Sequence, residues 1–193
     1  MFKLLAISGS PRRHGNSELL LDEFIKGAEY SGANTEKIII SEHKILPCTE
    51  CLHCVSHAEC TIKDDMQSLY PLLSEADGVV ISTPVFFMGP PAQLKAMIDR
   101  CQLLWCIKYI FKLPVNKNNN KRKGFFLTLG ALPKKIGIRN FQGNINSIKS
   151  LFHVLELQFI GYLSYHNIDK NGDIISHNNA MKEAYKAGVD FPL

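Results

Sequence analysis

Apolar residues in this chain come in short runs separated by amphipathic stretches. From Lys3 to Ile7 a brief apolar run stops at Ser8-Gly9-Ser10-Pro11, which reads as a buried strand meeting a turn. Leu19, Leu20, Phe24, Ile25 and Ala28 then recur at helical spacing, with Asn16 or Ser17 as the cap and Gly32 as the stop. The pattern predicts a second strand over Thr35–Ile40, a long loop from Glu42 to Lys63, and a helix opened by Asp64 and Asp65 that runs to Leu73. A third strand follows over Gly78–Ser82 and a loop over Thr83–Pro91. Leu94, Met97, Ile98 and Cys101 share one face of a helix predicted over Ala92–Cys106. Beyond a basic, Asn-rich connector at 107–123, expected to be mobile, come a strand over Phe125–Leu129, a helix over Asn144–Leu157, a strand over Phe159–Leu163 and a last helix around Ala180–Lys186.

Five apolar strands alternating with amphipathic helices predict an α/β domain over residues 1–193, a five-stranded parallel sheet with helices on both faces. Such sheets bind ligands at the carboxyl ends of their strands. The loops after the first, third and fourth strands therefore carry the information about function.

The 193 residues are 46% hydrophobic and 21% charged, a globular balance that excludes a disordered or collagen-like chain. The longest apolar stretch, Leu103–Phe111, is interrupted by Lys108 and is too short to cross a membrane. Met1-Phe2-Lys3-Leu4 leads into Ser8-Gly9-Ser10 without a signal-peptide core, so a cytoplasmic protein is expected. Net charge is +4, but no acidic residue lies between Arg100 and Leu155. That stretch is either a solvated basic face or a surface for an anionic partner, with nucleic acid the weakest of the candidates.

The loop after the first strand, Ser8-Gly9-Ser10-Pro11-Arg12-Arg13-His14-Gly15-Asn16-Ser17, gathers hydroxyls, glycines and two arginines at a helix start. That combination suits a dianion, and it matches neither the P-loop nor the dinucleotide fingerprint. The loop after the third strand spends Phe86, Phe87 and Met88 between Thr83 and Pro91, which suits a flat conjugated ring or an oligomer contact. Cys101 and Cys106 read as helix packing residues. Cys48, Cys51, Cys54 and Cys60 crowd one loop with spacing x2, x2 and x5, which points to metal or redox chemistry. Three thiols at two-residue gaps fit the corners of one cubane better than the two separated pairs usual for zinc. Zinc, a labile disulfide and unmetallated thiols remain open alternatives. His14, His43, His53 and His57 carry no ligand assignment.

Gly9-Ser10-Pro11-Arg12 with Gly15-Asn16-Ser17 resembles the FMN phosphate loop of NAD(P)H-dependent FMN reductases. Thr83-Pro84-Val85-Phe86-Phe87, followed by Ala92-Gln93-Leu94-Lys95 and Ile98-Asp99-Arg100, looks like their flavin-ring loop and next helix. Pro47-Cys48, Cys51, Cys54, Cys60 and Asp64-Asp65-Met66 narrow the resemblance to the iron–sulfur flavoprotein branch. It covers roughly residues 3 to 130 and implies a flavodoxin-like fold, FMN and electron transfer in a homodimer or homotetramer.

Within the resemblance, Ser10, Arg12, Asn16 and Ser17 hold the phosphate. Pro84, Val85, Phe86, Phe87 and Met88 contact the ring, with Thr128 and Gly130 on its other side. Relatives with this compact spacing bind a [4Fe–4S] cluster, which assigns Cys48, Cys51, Cys54 and Cys60 as its ligands. One departure is Phe86-Phe87, where relatives commonly have Tyr then Phe, so a hydroxyl contact is lost. The expected function is electron transfer between FMN and the cluster, with NAD(P)H as a donor and an acidic, ferredoxin-like protein as a partner. No side chain is needed as a nucleophile or general base. The competing readings are an NAD(P)H-dependent FMN or quinone reductase without a cluster, and a non-catalytic redox sensor or interaction module.

Overall fold

The computed structural model describes residues 1–118, 120–135 and 139–192. The strands are β1 (Lys3–Ser8), β2 (Asn34–Ile39), β3 (Gly78–Pro84), β4 (Arg122–Leu129) and β5 (Leu157–Tyr165). The helices are α1 (Asn16–Tyr30), α2 (His53–His57), α3 (Met66–Glu75), α4 (Ala92–Arg100), α5 (Gln102–Tyr109), α6 (Gln142–Val154), α7 (Asp173–Ser176) and α8 (Ala180–Asp190). The five strands form one sheet in the order β2-β1-β3-β4-β5, and every pairing is parallel. This is the flavodoxin-like order, whose switch point falls between β1 and β3.

Alternation along the strands sorts the core into two layers. Leu5, Ile7, Val79, Ile81 and Phe126 face a cluster built with α3 to α6, including Met66, Leu69, Leu94, Met97, Ile148 and Phe152. Leu4, Ala6, Val80 and Leu127 face the opposite cluster, with Leu20, Leu21 and Phe24 of α1, Ala184 of α8 and Phe191. The α1–α8 crossing is close because it is made by glycines. A Cβ on Gly27 would lie 2.0 Å from the Tyr185 carbonyl oxygen, and one on Gly188 would lie 2.0 Å from that of Phe24.

Several expectations change. The helix predicted over Ala92–Cys106 is two helices that break at Cys101, and the second carries on to Tyr109. The Glu42–Lys63 loop contains α2. The α1 cap is Gly15, not Asn16 or Ser17, and it makes no side-chain cap bond.

The basic stretch from 100 onward is not one surface. Arg100 is buried against Asp64, and Arg122 is buried with its guanidinium on the carbonyls of Leu73, Ala76 and Leu155. Those carbonyls lie at the ends of α3 and α6, where a cation satisfies orphan acceptors. Burial brings the Arg122 pKa down to about 10. The connector is also tied down. Asn116 N–H donates to Glu156 Oε2 at 2.9 Å, Lys117 pairs with Glu75, and β4 already begins at Arg122. Position 119 of the connector lies outside the described residues. Among the described residues no helix is long and apolar enough to cross a membrane.

Candidate functional site

A cavity of about 410 Å³ opens where β1, β3 and β4 end, at the switch point of the sheet. Ser10, Arg12, Asn16, Ser17, Pro84, Val85, Phe86 and Gly130 line it. The sheet fixes its backbone walls: Gly9 N–H donates to Ser82 O at 2.8 Å, Val85 N–H to Leu129 O at 3.0 Å, and Gly130 N–H to Tyr165 O at 3.0 Å. The Ser82 hydroxyl donates to Ser17 O at 2.7 Å and joins the first turn of α1 to β3. With no side chain capping it, the α1 N-terminus presents its first amides and its positive dipole end to this cavity.

The two arginines of the loop divide their work. Arg13 pairs with buried Glu18 at 3.3 Å and with Glu42. Glu18 also accepts from Lys37 at 3.0 Å and from His14 N–H at 2.6 Å, while His14 takes a left-handed φ of 54°. Burial alone would raise the Glu18 pKa. The hydrogen bonds from Lys37, Arg13 and the His14 amide outweigh it and bring the value down to about 2. Arg13 and Glu18 thus brace the loop. Arg12 is exposed, makes no ion pair among the described residues, and lines the cavity.

Other predicted contacts shift. The Asn16 side chain is already engaged: Nδ2 donates to Lys170 O at 2.8 Å, and Oδ1 accepts from Gly172 and Ile174. It locks the segment after β5, which leaves its backbone amide for a ligand. Ser10 Oγ accepts from Arg12 N–H at 3.1 Å. Thr128 does not line the cavity. It is fully buried and accepts from Asn144 Nδ2 at 3.3 Å. Phe86 and Gly89 exchange two 2.9 Å backbone bonds around Phe87 and Met88, whose φ values are 47° and 64°. This tight turn ordinarily takes glycine or asparagine. It aims Phe87 and Met88 away from the cavity, and Phe87 is fully exposed. Its position is held by α6, where a Cβ on Gly143 would lie 1.9 Å from the Met88 carbonyl oxygen. Leu129, Ala131, Ile168 and Asp169 also line the cavity. Only the strand-end rule applied to β4 and β5 signals them in the sequence.

A second cavity, of about 340 Å³, is bordered by Cys48, Cys51, Cys54 and Cys60 from the loop and by Asp99, Arg100, Gln102 and Leu103 from α4 and α5. The loop is knotted at its ends by one ion pair. Arg100 donates through Nη1 to Asp64 Oδ2 at 2.7 Å and Leu46 O at 3.0 Å. Through Nη2 it donates to Asp64 Oδ1 at 3.1 Å and Ile62 O at 3.2 Å. Asp64 in turn accepts from the amides of Leu46 and Met66. Burial acts to raise the Asp64 pKa, but these donors win and hold it below the ordinary value. Arg100 Nε is buried and has no partner.

The thiols differ from one another. The His53 amide and the Thr61 hydroxyl pull the exposed Cys51 down. Burial and a neighbouring thiol push Cys54 up to about 11. That neighbour is Cys106, whose Sγ lies 3.6 Å from Cys54 Sγ, so Cys106 is more than the packing residue its helical setting predicts. Cys101 is buried in the core as expected. His53 and His57 stack on each other at 4.0 Å, and His53 pairs with Glu59. Among the described residues no three of His, Cys, Asp or Glu converge on a common metal position.

Fold and cavities together define a flavodoxin-like protein with one cavity at its switch point and a separate cavity bordered by cysteines. Residues 2–132 match the family model described as NADPH-dependent FMN reductase. The chain is 32% identical over 163 residues to the iron-sulfur flavoprotein of Methanosarcina thermophila, covering 82% of this chain and 77% of that one. It is 44% identical over 108 residues to an iron-sulfur flavoprotein of Archaeoglobus fulgidus, covering 56% of this chain and 55% of that one. It spans about half the length of the Archaeoglobus fulgidus relatives it matches. The NAD(P)H:quinone oxidoreductase from Methanothermobacter marburgensis shares the fold, with a TM-score of 0.75, 17% identity and coverage of 98% and 96%. The chain belongs to the NADPH-dependent FMN reductase family, in its iron–sulfur flavoprotein branch.

Proposed function

We propose that this chain is an FMN-dependent oxidoreductase that passes electrons between FMN and a [4Fe–4S] cluster, with NAD(P)H as a donor. The observation that carries the flavin half is the α1 N-terminus without a side-chain cap, together with Arg12, which makes no ion pair among the described residues, both opening on the cavity that Pro84, Val85, Phe86 and Gly130 share. Arg12, Ser10, Ser17 and the Asn16 amide hold the phosphate. Pro84, Val85, Phe86 and Gly130 border the ring. Exposed Phe87 and Met88 are free to meet a ring or a second copy of the chain in a homodimer or homotetramer.

The cysteine site fits an anionic sulfur cluster. Four thiols border one cavity, Arg100 borders it too, and the Arg100 Nε is buried without an acceptor among the described residues. FMN, when bound, supplies hydride acceptance and one-electron transfer, and the cluster supplies one-electron transfer. The protein contributes position, exclusion of water and the charges of Arg12 and Arg100. Exposed Lys134 and Lys135, which follow the end of β4 that opens on the first cavity, offer a contact for an acidic redox partner.

A reductase without a cluster is the second reading, favoured by the failure of any three of the described thiols to converge. Anaerobic purification and reconstitution separate the two, with Cys48, Cys51, Cys54 and Cys60 changed to Ala in turn. The proposal expects flavin absorption and about four iron per chain, lost in each variant. Flavin with stoichiometric zinc and no iron uptake establishes the second reading.

A further inference from the structure

The pair Cys54–Cys106 belongs to no pattern in the sequence, because 52 positions separate the two residues. Cys106 sits on α5, is fully buried, and lies with its sulfur 3.6 Å from that of Cys54. Its other polar neighbour is Gln102 Nε2, at 3.8 Å. A disulfide requires about 2.05 Å between the sulfurs, so the pair must close by about 1.5 Å, within reach of a side-chain rotation and a small loop shift. The two sides are suited to that movement. α5 is anchored in the core through Leu103 and Leu104, whereas α2 is a five-residue helix with no buried residue, flanked by Leu52 and Ala58 in the left-handed region. Cys54 also borders the cavity shared with Cys48, Cys51 and Cys60.

We propose that Cys54 and Cys106 form a reversible disulfide that withdraws Cys54 from the metal-ligand set. With a hydroperoxide as oxidant, the exposed Cys51 sulfur attacks the peroxide, an S–O bond forms, the O–O bond breaks and water or alcohol leaves. The sulfur of Cys54, three residues on in the same loop, displaces that oxygen as water to give a Cys51–Cys54 bond, and the Cys106 sulfur then attacks Cys54, forming the Cys54–Cys106 bond and releasing Cys51 as a thiol. The two sulfurs lose two electrons and the peroxide gains them. A dithiol reductant reverses the bond by exchange. The consequence for metal loading rests on the cluster reading above, but the disulfide itself does not. In the oxidised chain the cysteine cavity keeps three thiols, too few for a four-thiolate cubane. Cys106 thereby makes cluster assembly conditional on a reducing environment.

The test uses the whole chain, reduced and metal-free, given one equivalent of hydrogen peroxide. Remaining thiols are alkylated, and the digest is mapped by mass spectrometry. The expected result is a Cys54–Cys106 peptide as the main cross-link, a fall of two in free thiols, and no iron uptake until dithiothreitol is added. Cys106→Ser and Cys106→Ala abolish that cross-link and stop the oxidation at a sulfenic acid or at a disulfide within the 48–60 loop. Two replacements guard against a folding defect in either one. Recovery of Cys106 as a free thiol, with cross-links only among Cys48, Cys51, Cys54 and Cys60, overturns the proposal. A chain that forms the Cys54–Cys106 bond but never binds iron keeps the disulfide and removes the cluster reading. One that binds iron while Cys106 stays free after oxidation does the reverse.

Discussion

The cavity at the end of β1 and the cysteine cavity are similar in volume and opposite in construction. The first is walled by strand ends whose amides and carbonyls are bonded across the sheet, at Gly9, Val85 and Gly130. The second has no strand residue in its wall. Its loop depends on Arg100, which reaches Leu46, Ile62 and Asp64 at once. A site built on a sheet inherits the cooperative stability of the core. The cysteine loop is centred on one point, the buried Arg100–Asp64 pair, with lighter ties around it such as Lys44 N–H to Asp65 Oδ2 and Gln67 Nε2 to Ile62 O.

Removing that point is the strongest way to break the comparison. Arg100→Ala leaves the buried Asp64 side chain without its cation and removes the Nη1 donor from Leu46 O, while Ile62 O keeps Gln67 Nε2, and is expected to cost about 3–5 kcal/mol. Urea melts read the loss, and limited proteolysis locates cleavage in the 43–63 loop. Flavin affinity of the folded fraction stays within a few-fold of the parent. A loss of stability with the loop still protected contradicts the clamp.

Acid acts on the other cavity through Glu18. Its folded pKa lies near 2 against an ordinary 4.5, so it releases stability as pH falls through that window. The contribution is present above about pH 4.5, is lost by about pH 2, and is worth about 3 kcal/mol at full strength. Unfolding free energies measured across that range are expected to fall more steeply for the parent than for Glu18→Gln. Parallel slopes remove Glu18 as the brace of the loop.

The two arginines sharpen the contrast within one loop. Arg12→Ala is expected to weaken FMN by about 1.5–3 kcal/mol, the scale of a charge-assisted hydrogen bond, and to leave riboflavin unchanged. Isothermal titration with both flavins checks it, and equal losses for the two deny Arg12 its phosphate role. Iron content is expected to stay the same, because Arg12 lines only the first cavity.

Phe87→Ala is the smallest change. Its side chain is fully exposed, so chain stability is expected to move by less than about 0.5 kcal/mol. Sedimentation reads whether the exposed turn holds copies together, with dissociation expected. Unchanged sedimentation together with lower flavin content assigns the ring to the cofactor.

The sequence by itself determined the elements and where to look. Apolar runs such as Val79–Ile81, too short for helices and bounded by turn residues, are strands, and their alternation with helices leaves a parallel sheet as the solution. Sites at strand ends follow from that and point to the loops after β1, β3 and β4, while the resemblance to FMN reductases singled out Ser10, Arg12, Ser17, Val85 and Gly130 within them, all of which line the first cavity. Tertiary structure alone decided which of two adjacent arginines is braced by Glu42, because Glu42 lies 29 residues from Arg13. It also decided that the Asn16 side chain serves Lys170 and Gly172, more than 150 positions away, that Thr128 hides behind the cavity wall, and that Cys106 meets Cys54. Local periodicity reports the face on which a side chain lies. It carries no record of a partner brought across the fold, because that pairing depends on how the layers pack.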